Sequence, residues 1–233
     1  MTDPQAIDIG RHLEQVLDRI AAAARDAGRP PGEIGLLAVS KTKPASAVRS
    51  AHAHGQTAFG ENYLQDALAK QDELLDLPLE WHFIGPIQSN KTRDIAARFD
   101  WVHTIEREKI ARRLNDQRPD ELPPLNVCIQ VNISAEQSKS GVAPPDVAAL
   151  AGRIAGLPRL KLRGLMAIPA RADGLDEQRK PLRALARLRE DLRAQGHDLD
   201  TLSMGMSGDL EAAILEGSTL VRVGTDIFGA RDR

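Results

Sequence analysis

Cysteine is nearly absent from this chain of 233 residues, which contains only Cys128. One cysteine cannot form an internal disulfide, and this is typical of a protein from a reducing compartment, here the cytoplasm. Cys128 lies in the apolar run 125–131 and has no adjacent histidine. We therefore expect a buried thiol that packs in the core rather than a nucleophile.

Aromatic residues and excess charge are also scarce. Phe, Trp and Tyr together make up 3% of the chain, and 31 Lys+Arg against 33 Asp+Glu leave a formal net charge of −2. Such a surface offers no basic face to a phosphate backbone and few rings for base stacking. We therefore expect no nucleic acid as a partner.

Long hydrophobic runs are missing as well. The apolar runs fall far short of the about 20 residues that cross a bilayer, and the first residues show no apolar signal segment. We expect neither a membrane partner nor a secretory signal. The hydrophobic content of 42% is nevertheless enough for a full core at this length.

Short apolar runs alternate with helical patterns along the chain. After an opening helical pattern over about 8–27, eight such runs occur, at 36–40, 57–60, 79–85, 101–104, 125–132, 162–168, 201–204 and 219–223. This count predicts the α/β class and a single (β/α)8 TIM barrel over 1–233 with an extra N-terminal helix. The alternative is a doubly wound open sheet, but residues 40–44 lack the glycine-rich turn typical of that fold.

Small and hydroxyl residues follow the last two predicted strands. A TIM barrel binds its ligands at the carboxyl ends of the strands, and phosphate commonly after strands seven and eight. Ser207 follows the seventh predicted strand, and Gly224 and Thr225 follow the eighth. Together they predict a phosphate site, although a helix cap or a turn would explain each residue taken alone.

Two lysines follow the first predicted strand. Alternation along the strand puts Lys41 on the same side as Leu37 and Val39, so a barrel interior filled by those two side chains directs Lys41 into the barrel mouth. Partial desolvation there lowers the pKa of a lysine, and the neutral amine forms a Schiff base with an aldehyde. Lys43 is the second candidate. An ordinary solvated lysine is the alternative for either residue.

Arg222 lies inside the eighth predicted strand, where a charged side chain is costly unless it has a partner. The ring nitrogen of pyridoxal 5′-phosphate (PLP) commonly binds Asp or Arg, so this cofactor would give Arg222 a partner. An arginine keeps its own proton and leaves the ring nitrogen neutral, which makes the ring a weaker electron sink. The alternative is a salt bridge to a carboxylate of a neighbouring strand, for example Glu61.

The histidines predict no metal site. His52 and His54 are two residues apart and face different ways on a helix, which makes a poor metal pair. His82 and His103, in the third and fourth predicted strands, are expected to be hydrogen-bonded core residues, with His82 a candidate for lining the barrel mouth.

Several motifs in one order extend over nearly the whole chain. They are AVSKTKP at 38–44, FGENY at 59–63, WHFIGPIQSNK at 81–91, SKSG at 138–141, GLM at 164–166, SMGMS at 203–207, VRVGT at 221–225 and IFGA at 227–230. With these motifs the chain resembles the pyridoxal phosphate homeostasis protein family. The departures are slight, Asp66 where glutamate is expected and Ile87 where leucine is common.

The resemblance implies a barrel similar to the N-terminal domain of alanine racemase, with PLP held as a Schiff base on the lysine that matches Lys41. It implies that Ser207, Gly224 and Thr225 bind the phosphate and that Arg222 is the partner of the ring nitrogen. The further residues implied around the ring are Asn62, His82 and Met204. Lys139 matches a family lysine implicated in cofactor handling, and Lys70 is a further candidate for that role.

The family resemblance also implies a function, that of a cytoplasmic PLP carrier in vitamin B6 homeostasis with no catalytic residue and no metal. Apo PLP-dependent enzymes are the candidate partners, and the lack of a large additional apolar segment favours a monomer. The rival functions are a PLP-dependent racemase or decarboxylase and a cofactor-free Schiff-base aldolase. Racemisation needs a second base, yet the only tyrosine, Tyr63, lies near strand two. An aldolase has no use for Arg222 beside a ring nitrogen.

Overall fold

The computed structural model describes residues 8–134 and 140–230. Helix α1 (Ile9–Asp26) comes first, and eight strands follow, each with a helix after it. The strands are β1 (Gly35–Val39), β2 (Ala58–Glu61), β3 (Glu80–Phe83), β4 (Trp101–Ile105), β5 (Leu125–Gln130), β6 (Leu160–Met166), β7 (Thr201–Ser203) and β8 (Leu220–Val223). The helices that follow them are α2 (Ala45–Ala53), α3 (Leu64–Glu73), α4 (Thr92–Arg98), α5 (Glu108–Gln117), α6 (Val147–Ala155), α7 (Leu175–Ala194), α8 (Leu210–Leu215) and α9 (Thr225–Phe228).

The strands form one closed parallel barrel in chain order, and β1 pairs with β8 to complete it. The predicted TIM barrel with an extra N-terminal helix is confirmed. Because all strands run the same way, their carboxyl ends lie at one end of the barrel, the carboxyl rim, and their first residues lie at the other, the amino rim. The sequence did not predict α9, a single helical turn directly after β8.

Helix α1 packs against the outside of the barrel. Asp8 caps it, accepting a hydrogen bond of 3.0 Å from the backbone N–H of Arg11. Leu13, Val16 and Ile20 recur at helical spacing and are buried, so they form the face that packs on the core. None of the helices within the two described ranges is long and apolar enough to cross a lipid bilayer.

The core has two parts. The larger apolar cluster lies between the strands and the helices, and a smaller one, formed by Trp101, Cys128 and Met166, lies inside the barrel. Cys128 is fully buried, and burial raises the pKa of its thiol to about 12. This matches the packing role predicted from its sequence context.

Polar residues share the barrel interior with the smaller cluster. His82, His103, Ser203 and Arg222 are all buried and joined by hydrogen bonds. The bond between His103 on β4 and Ser203 on β7 joins strands that are not neighbours in the sheet, so it passes through the interior. The barrel is therefore apolar in part and crossed by a polar layer that ends at Arg222.

Candidate functional site

The carboxyl rim brings together five of the residues predicted from the sequence. Lys41 follows β1, Asn62 follows β2, Ser207 lies in the loop after β7, and Gly224 and Thr225 follow β8. These four strands are consecutive around the barrel, because β7 pairs with β8, β8 with β1 and β1 with β2. The five residues therefore lie on one side of the rim.

Lys41 lies in a tight turn after β1. The backbone N–H of Lys43 donates to the carbonyl of Ser40 at 3.0 Å, and Thr42 has a φ of 64°. A β-branched residue in this left-handed region is strained by about 1–2 kcal/mol. Strain of this kind collects at functional sites, where surrounding contacts hold it. Lys43, the second lysine, donates from Nζ to the carbonyl of Ala230 at 2.7 Å and so ties the turn to the C-terminal segment.

A buried ion pair between Lys70 and Glu61 holds the start of the turn that carries Lys41. Lys70 Nζ lies 2.5 Å from Glu61 Oε1 and donates to the carbonyl of Ser40 at 2.8 Å. The Ser40 hydroxyl donates to the same carboxylate at 2.6 Å. Burial raises the pKa of Glu61, and the charge of Lys70 opposes that rise. The structure therefore shows Lys70 as a buried structural cation, and it pairs Glu61 with Lys70 rather than with Arg222.

Arg222 is only 4% exposed and holds three backbone or hydroxyl oxygens. Nη1 donates to the Ser203 carbonyl at 2.6 Å and to Ser203 Oγ at 2.8 Å, and Nη2 donates to the Ala167 carbonyl at 3.0 Å. It forms no ion pair with a carboxylate in residues 8–134 and 140–230. Burial lowers its pKa to about 10, so it stays charged at neutral pH. A buried cation with only neutral acceptors suits a site that receives a polar ligand.

The loops after β7 and β8 are fastened to each other. Arg19 of α1 donates from Nη2 to the carbonyl of Ser207 at 3.0 Å and from Nη1 to Asp226 at 2.7 Å. Asp209 accepts from the backbone N–H of Met206 at 2.6 Å, which shows that Asp209, and not the Ser207 hydroxyl, stabilises this turn. The Ser207 side chain is thus not consumed by a cap.

Gly224 and Asn62 each contribute one feature to the site, close backbone packing at Gly224 and a buried hydrogen-bond acceptor at Asn62. A Cβ on Gly224 would lie 3.0 Å from the carbonyl oxygen of Val39, so a side chain at this position would push the backbone of β1 away. Asn62 Oδ1 is buried and has no hydrogen-bond partner in the described part of the chain. A buried acceptor without a donor costs free energy, which a ligand that donates a hydrogen bond would recover.

Three of the predicted residues are not part of this group. His82 lies inside the barrel, and its Nε2 is 2.8 Å from Glu80, the first residue of β3, at the amino rim. Met204 follows β7, but its side chain is fully buried in the larger apolar cluster. Lys139 lies outside the described residues.

Sequence reasoning missed two residues that shape the site. Arg19 binds Ser207 across 188 residues of sequence, and Ser203 accepts from Arg222 inside the barrel. No motif signals Arg19, because a charged residue on an amphipathic helix is ordinary. Ser203 lies at the start of the motif at 203–207, and alternation along β7 would have directed it to the interior.

Comparisons with known proteins identify similar sequences over nearly the whole chain. The family model described as "Alanine racemase, N-terminal domain" matches residues 12–232. A "Pyridoxal phosphate homeostasis protein" from Pseudomonas aeruginosa is 63% identical over 224 residues, covering 96% of each chain. One of the same name from Escherichia coli is 57% identical over 228 residues, covering 97% of each chain.

Solved structures share the fold. PipY of Synechococcus elongatus, crystallised with PLP bound, is 35% identical, has a TM-score of 0.83, and covers 95% of this chain and 100% of its own. Alanine racemase of Corynebacterium glutamicum shares the fold at a TM-score of 0.70 with 18% identity, over 95% of this chain and 62% of its own.

Proposed function

Since the chain belongs to the alanine racemase N-terminal domain family and, within it, to the pyridoxal phosphate homeostasis proteins, we propose that it binds PLP and acts in PLP homeostasis. In this proposal residues 1–233 form one PLP-binding domain, and Lys41 carries the cofactor as a Schiff base. The relative crystallised with PLP supports the cofactor, and the residues on the carboxyl rim fit its groups.

The chemistry of the rim residues matches PLP group by group. PLP supplies an aldehyde, a phosphate, a ring nitrogen and a phenolic hydroxyl. Lys41 provides the amine for covalent attachment, and Ser207, Gly224 and Thr225 border the place for the phosphate. Asn62 Oδ1 offers an acceptor to a hydroxyl donor. His82 and Met204 are expected to support this arrangement from within the fold rather than to touch the ring.

Arg222 is the observation that carries the proposal. It is a buried guanidinium whose bonds go only to neutral oxygens, so it retains donor capacity and charge for a ligand acceptor. Because an arginine does not give up its proton at neutral pH, it donates to the ring nitrogen and leaves that nitrogen unprotonated.

From this residue we also infer a carrier without catalytic turnover. A neutral ring nitrogen makes PLP a poor electron sink, which disfavours the carbanion chemistry of racemases and decarboxylases. Proton transfer at a substrate carbon also needs positioned acid and base groups. Tyr63 is 51% exposed, while His82 and His103 are bonded to each other inside the barrel.

The visible absorption spectrum of the purified protein, with borohydride reduction and peptide mapping, tests the binding proposal. We expect a yellow protein with the pyridoxyl group on Lys41. Lys41→Ala should lose the band, and Lys43→Ala, as the matched control two residues away, should keep it. A colourless protein that PLP cannot label would overturn the cofactor assignment and bring forward a cofactor-free Schiff-base aldolase.

The PLP-loaded protein incubated with amino acids in deuterated water tests the carrier proposal. A carrier leaves the α-proton in place, whereas a racemase exchanges it with solvent. Release of PLP to an apo PLP-dependent enzyme, followed by recovery of that enzyme's activity, tests delivery to such partners. We further propose a cytoplasmic monomer, and light scattering coupled to size-exclusion chromatography checks the oligomeric state.

A further inference from the structure

A continuous series of hydrogen bonds crosses the barrel from the amino rim to Arg222. Glu80 Oε1 lies 2.8 Å from His82 Nε2, and His82 Nδ1 lies 2.9 Å from His103 Nε2. His103 Nδ1 lies 2.8 Å from Ser203 Oγ, which accepts from Arg222 Nη1 at 2.8 Å. We call these five residues the interior relay. It joins a half-exposed carboxylate to the buried guanidinium on the opposite side of the barrel.

The chemistry of the end groups sets the direction of these bonds. Arg222 only donates, so Ser203 Oγ is an acceptor toward it and keeps its single proton for His103 Nδ1. His103 then carries its proton on Nε2 and donates to His82 Nδ1. His82 in turn donates from Nε2 to the Glu80 carboxylate. In this state both rings are neutral and every proton on the path is used once.

The pKa values of the two histidines agree with neutral rings. Burial lowers the pKa of His82, with Glu80 opposing it, and burial lowers the pKa of His103 well below its ordinary value. The hydrogen bond from His82 lowers the pKa of Glu80. The carboxylate therefore stays charged and attracts the proton of His82 Nε2.

One added proton reverses the interior relay. If His82 carries protons on both nitrogens, it donates to Glu80 and also to His103 Nε2, so the proton of His103 moves to Nδ1. His103 then donates to Ser203 Oγ, which can no longer donate to that ring. The hydroxyl beside Arg222 must find another acceptor. A change of charge at the amino rim is thereby converted into a change in the hydrogen bonding of the Ser203 hydroxyl, which is the side-chain acceptor of Arg222.

We propose that Glu80, His82, His103 and Ser203 are positioning residues for Arg222, and that the carboxylate of Glu80 at the amino rim tunes the affinity of the carboxyl rim for PLP. This inference rests on the proposed function, because Arg222 is the residue assigned to the ring nitrogen. In this proposal none of the four positioning residues needs to contact the cofactor. Their effect passes through the orientation and hydrogen bonding of one guanidinium.

An open cavity of about 450 Å³ gives solvent access to the lower end of the interior relay. The other charged groups that line this cavity are Arg29, Glu33, Arg163 and Asp200. Asp100 also acts on His82 through its charge. His82 stacks on Trp101 with ring centroids 5.3 Å apart, and Arg163 lies 4.7 Å from the Trp101 ring on its way to a salt bridge with Asp200. At the upper end burial lowers the pKa of Arg222, and Asp209 and Cys128 oppose that shift.

Nitrogen NMR of the histidine side chains tests the interior relay without any cofactor. With signals assigned through single histidine variants, we expect His82 and His103 to be neutral at pH 7 and protonated on Nε2. On acidification both should change together, and only below the ordinary histidine pKa. Protonation on Nδ1 at pH 7, or independent titration of the two rings, would overturn the inference even if PLP binds.

Affinity for PLP tests the effect on Arg222. Ser203→Ala removes the hydroxyl partner of Arg222, and the dissociation constant of PLP should rise about tenfold, the scale for losing a hydrogen bond to a charged group. Ser218→Ala, which removes another buried hydroxyl, serves as its control. Glu80→Gln should raise the constant about threefold and flatten its change with pH, whereas Glu33→Gln, in the same cavity, should do neither.

The outcomes separate this inference from the proposed function. If the wild-type protein is labelled on Lys41 but Glu80→Gln and Ser203→Ala bind PLP as it does, the interior relay has no role and the carrier proposal stands. If the wild-type protein takes up no PLP, the proposed function fails, and the tautomers seen by NMR alone decide whether the interior relay exists.

Discussion

Arg19, on the first helix, donates a hydrogen bond of 3.0 Å to the backbone carbonyl of Ser207, 188 residues further along the chain. The same guanidinium forms salt bridges with Asp226 at 2.7 Å and Glu211 at 2.9 Å. One side chain thus holds the loops after β7 and β8 at a fixed separation. The helix that precedes the barrel therefore takes part in shaping the expected phosphate site.

Replacing Arg19 by alanine is expected to weaken PLP binding more than it weakens the fold. The two loops would lose their common anchor, and we expect the dissociation constant of PLP to rise about three- to tenfold. The free energy of unfolding should fall by about 1 kcal/mol or less, because the salt bridges of Arg19 are about one-third to one-half exposed. Arg25→Ala, an exposed arginine on the same helix, is the control. Equal affinities in a PLP titration of the two variants would contradict this role for Arg19.

Thr42 provides a test of the strained turn that carries Lys41. Its φ of 64° is unfavourable for a β-branched residue, and glycine adopts it freely. Relief of this strain in Thr42→Gly should raise the free energy of unfolding by about 1 kcal/mol. The larger conformational entropy of glycine in the unfolded chain offsets part of that gain. We also expect slower Schiff-base formation at Lys41, because the turn becomes less ordered.

The graded variant Thr42→Ala separates relief of strain from loss of side-chain contacts. It removes the branching but keeps Cβ, so its stability should lie between those of Thr42→Gly and the wild-type protein. Chemical denaturation measures both differences. If Thr42→Gly is less stable than Thr42→Ala, the turn is not strained.

The sequence predicts the strand count and the rim that carries the site, because both depend on local patterns. Alternation along β1 predicts that Lys41 is directed into the barrel mouth, and this stays a prediction, while the position of Gly224 and Thr225 after β8 follows from the strand itself. The turn at Thr42 was not predictable, since a left-handed residue is normally marked by glycine or asparagine. The partners of Arg222 were not predictable either, because Ser203 and Ala167 become its neighbours only when the barrel closes.

The ion pair between Lys70 and Glu61 should dominate stability near the site. Lys70→Met removes the cation and leaves a buried carboxylate without its partner, which costs about 3–5 kcal/mol in such cases. We expect this loss in the free energy of unfolding from urea titrations. Where the protein stays folded, Lys41 should still be the labelled lysine, because the variant keeps the amine proposed for attachment and loses only its buried neighbour.

The double variant Glu61→Leu with Lys70→Met checks the cause of that loss. Replacing both charges by apolar groups of similar size removes the unpaired carboxylate, and much of the lost stability should return. If the double variant is as unstable as Lys70→Met, then packing of the lysine stem, rather than the buried charge, explains the result.

Cys128 makes stability depend on alkaline pH. Burial raises the pKa of its thiol to about 12, whereas an unfolded chain has an ordinary cysteine pKa of about 8.5. Between these values the unfolded state loses the thiol proton and the folded state keeps it. This one group therefore lowers the free energy of unfolding by up to about 1.4 kcal/mol per pH unit over that range, and it has no effect below it.

Cys128→Ala removes this contribution while every other titrating group remains. The wild-type protein should therefore lose stability more steeply than the variant between pH 9 and 11, and the difference between the two slopes should be up to about 1.4 kcal/mol per pH unit. Denaturant titrations at several pH values measure the difference, and parallel curves for the two proteins would show that the thiol ionises as easily in the fold as outside it.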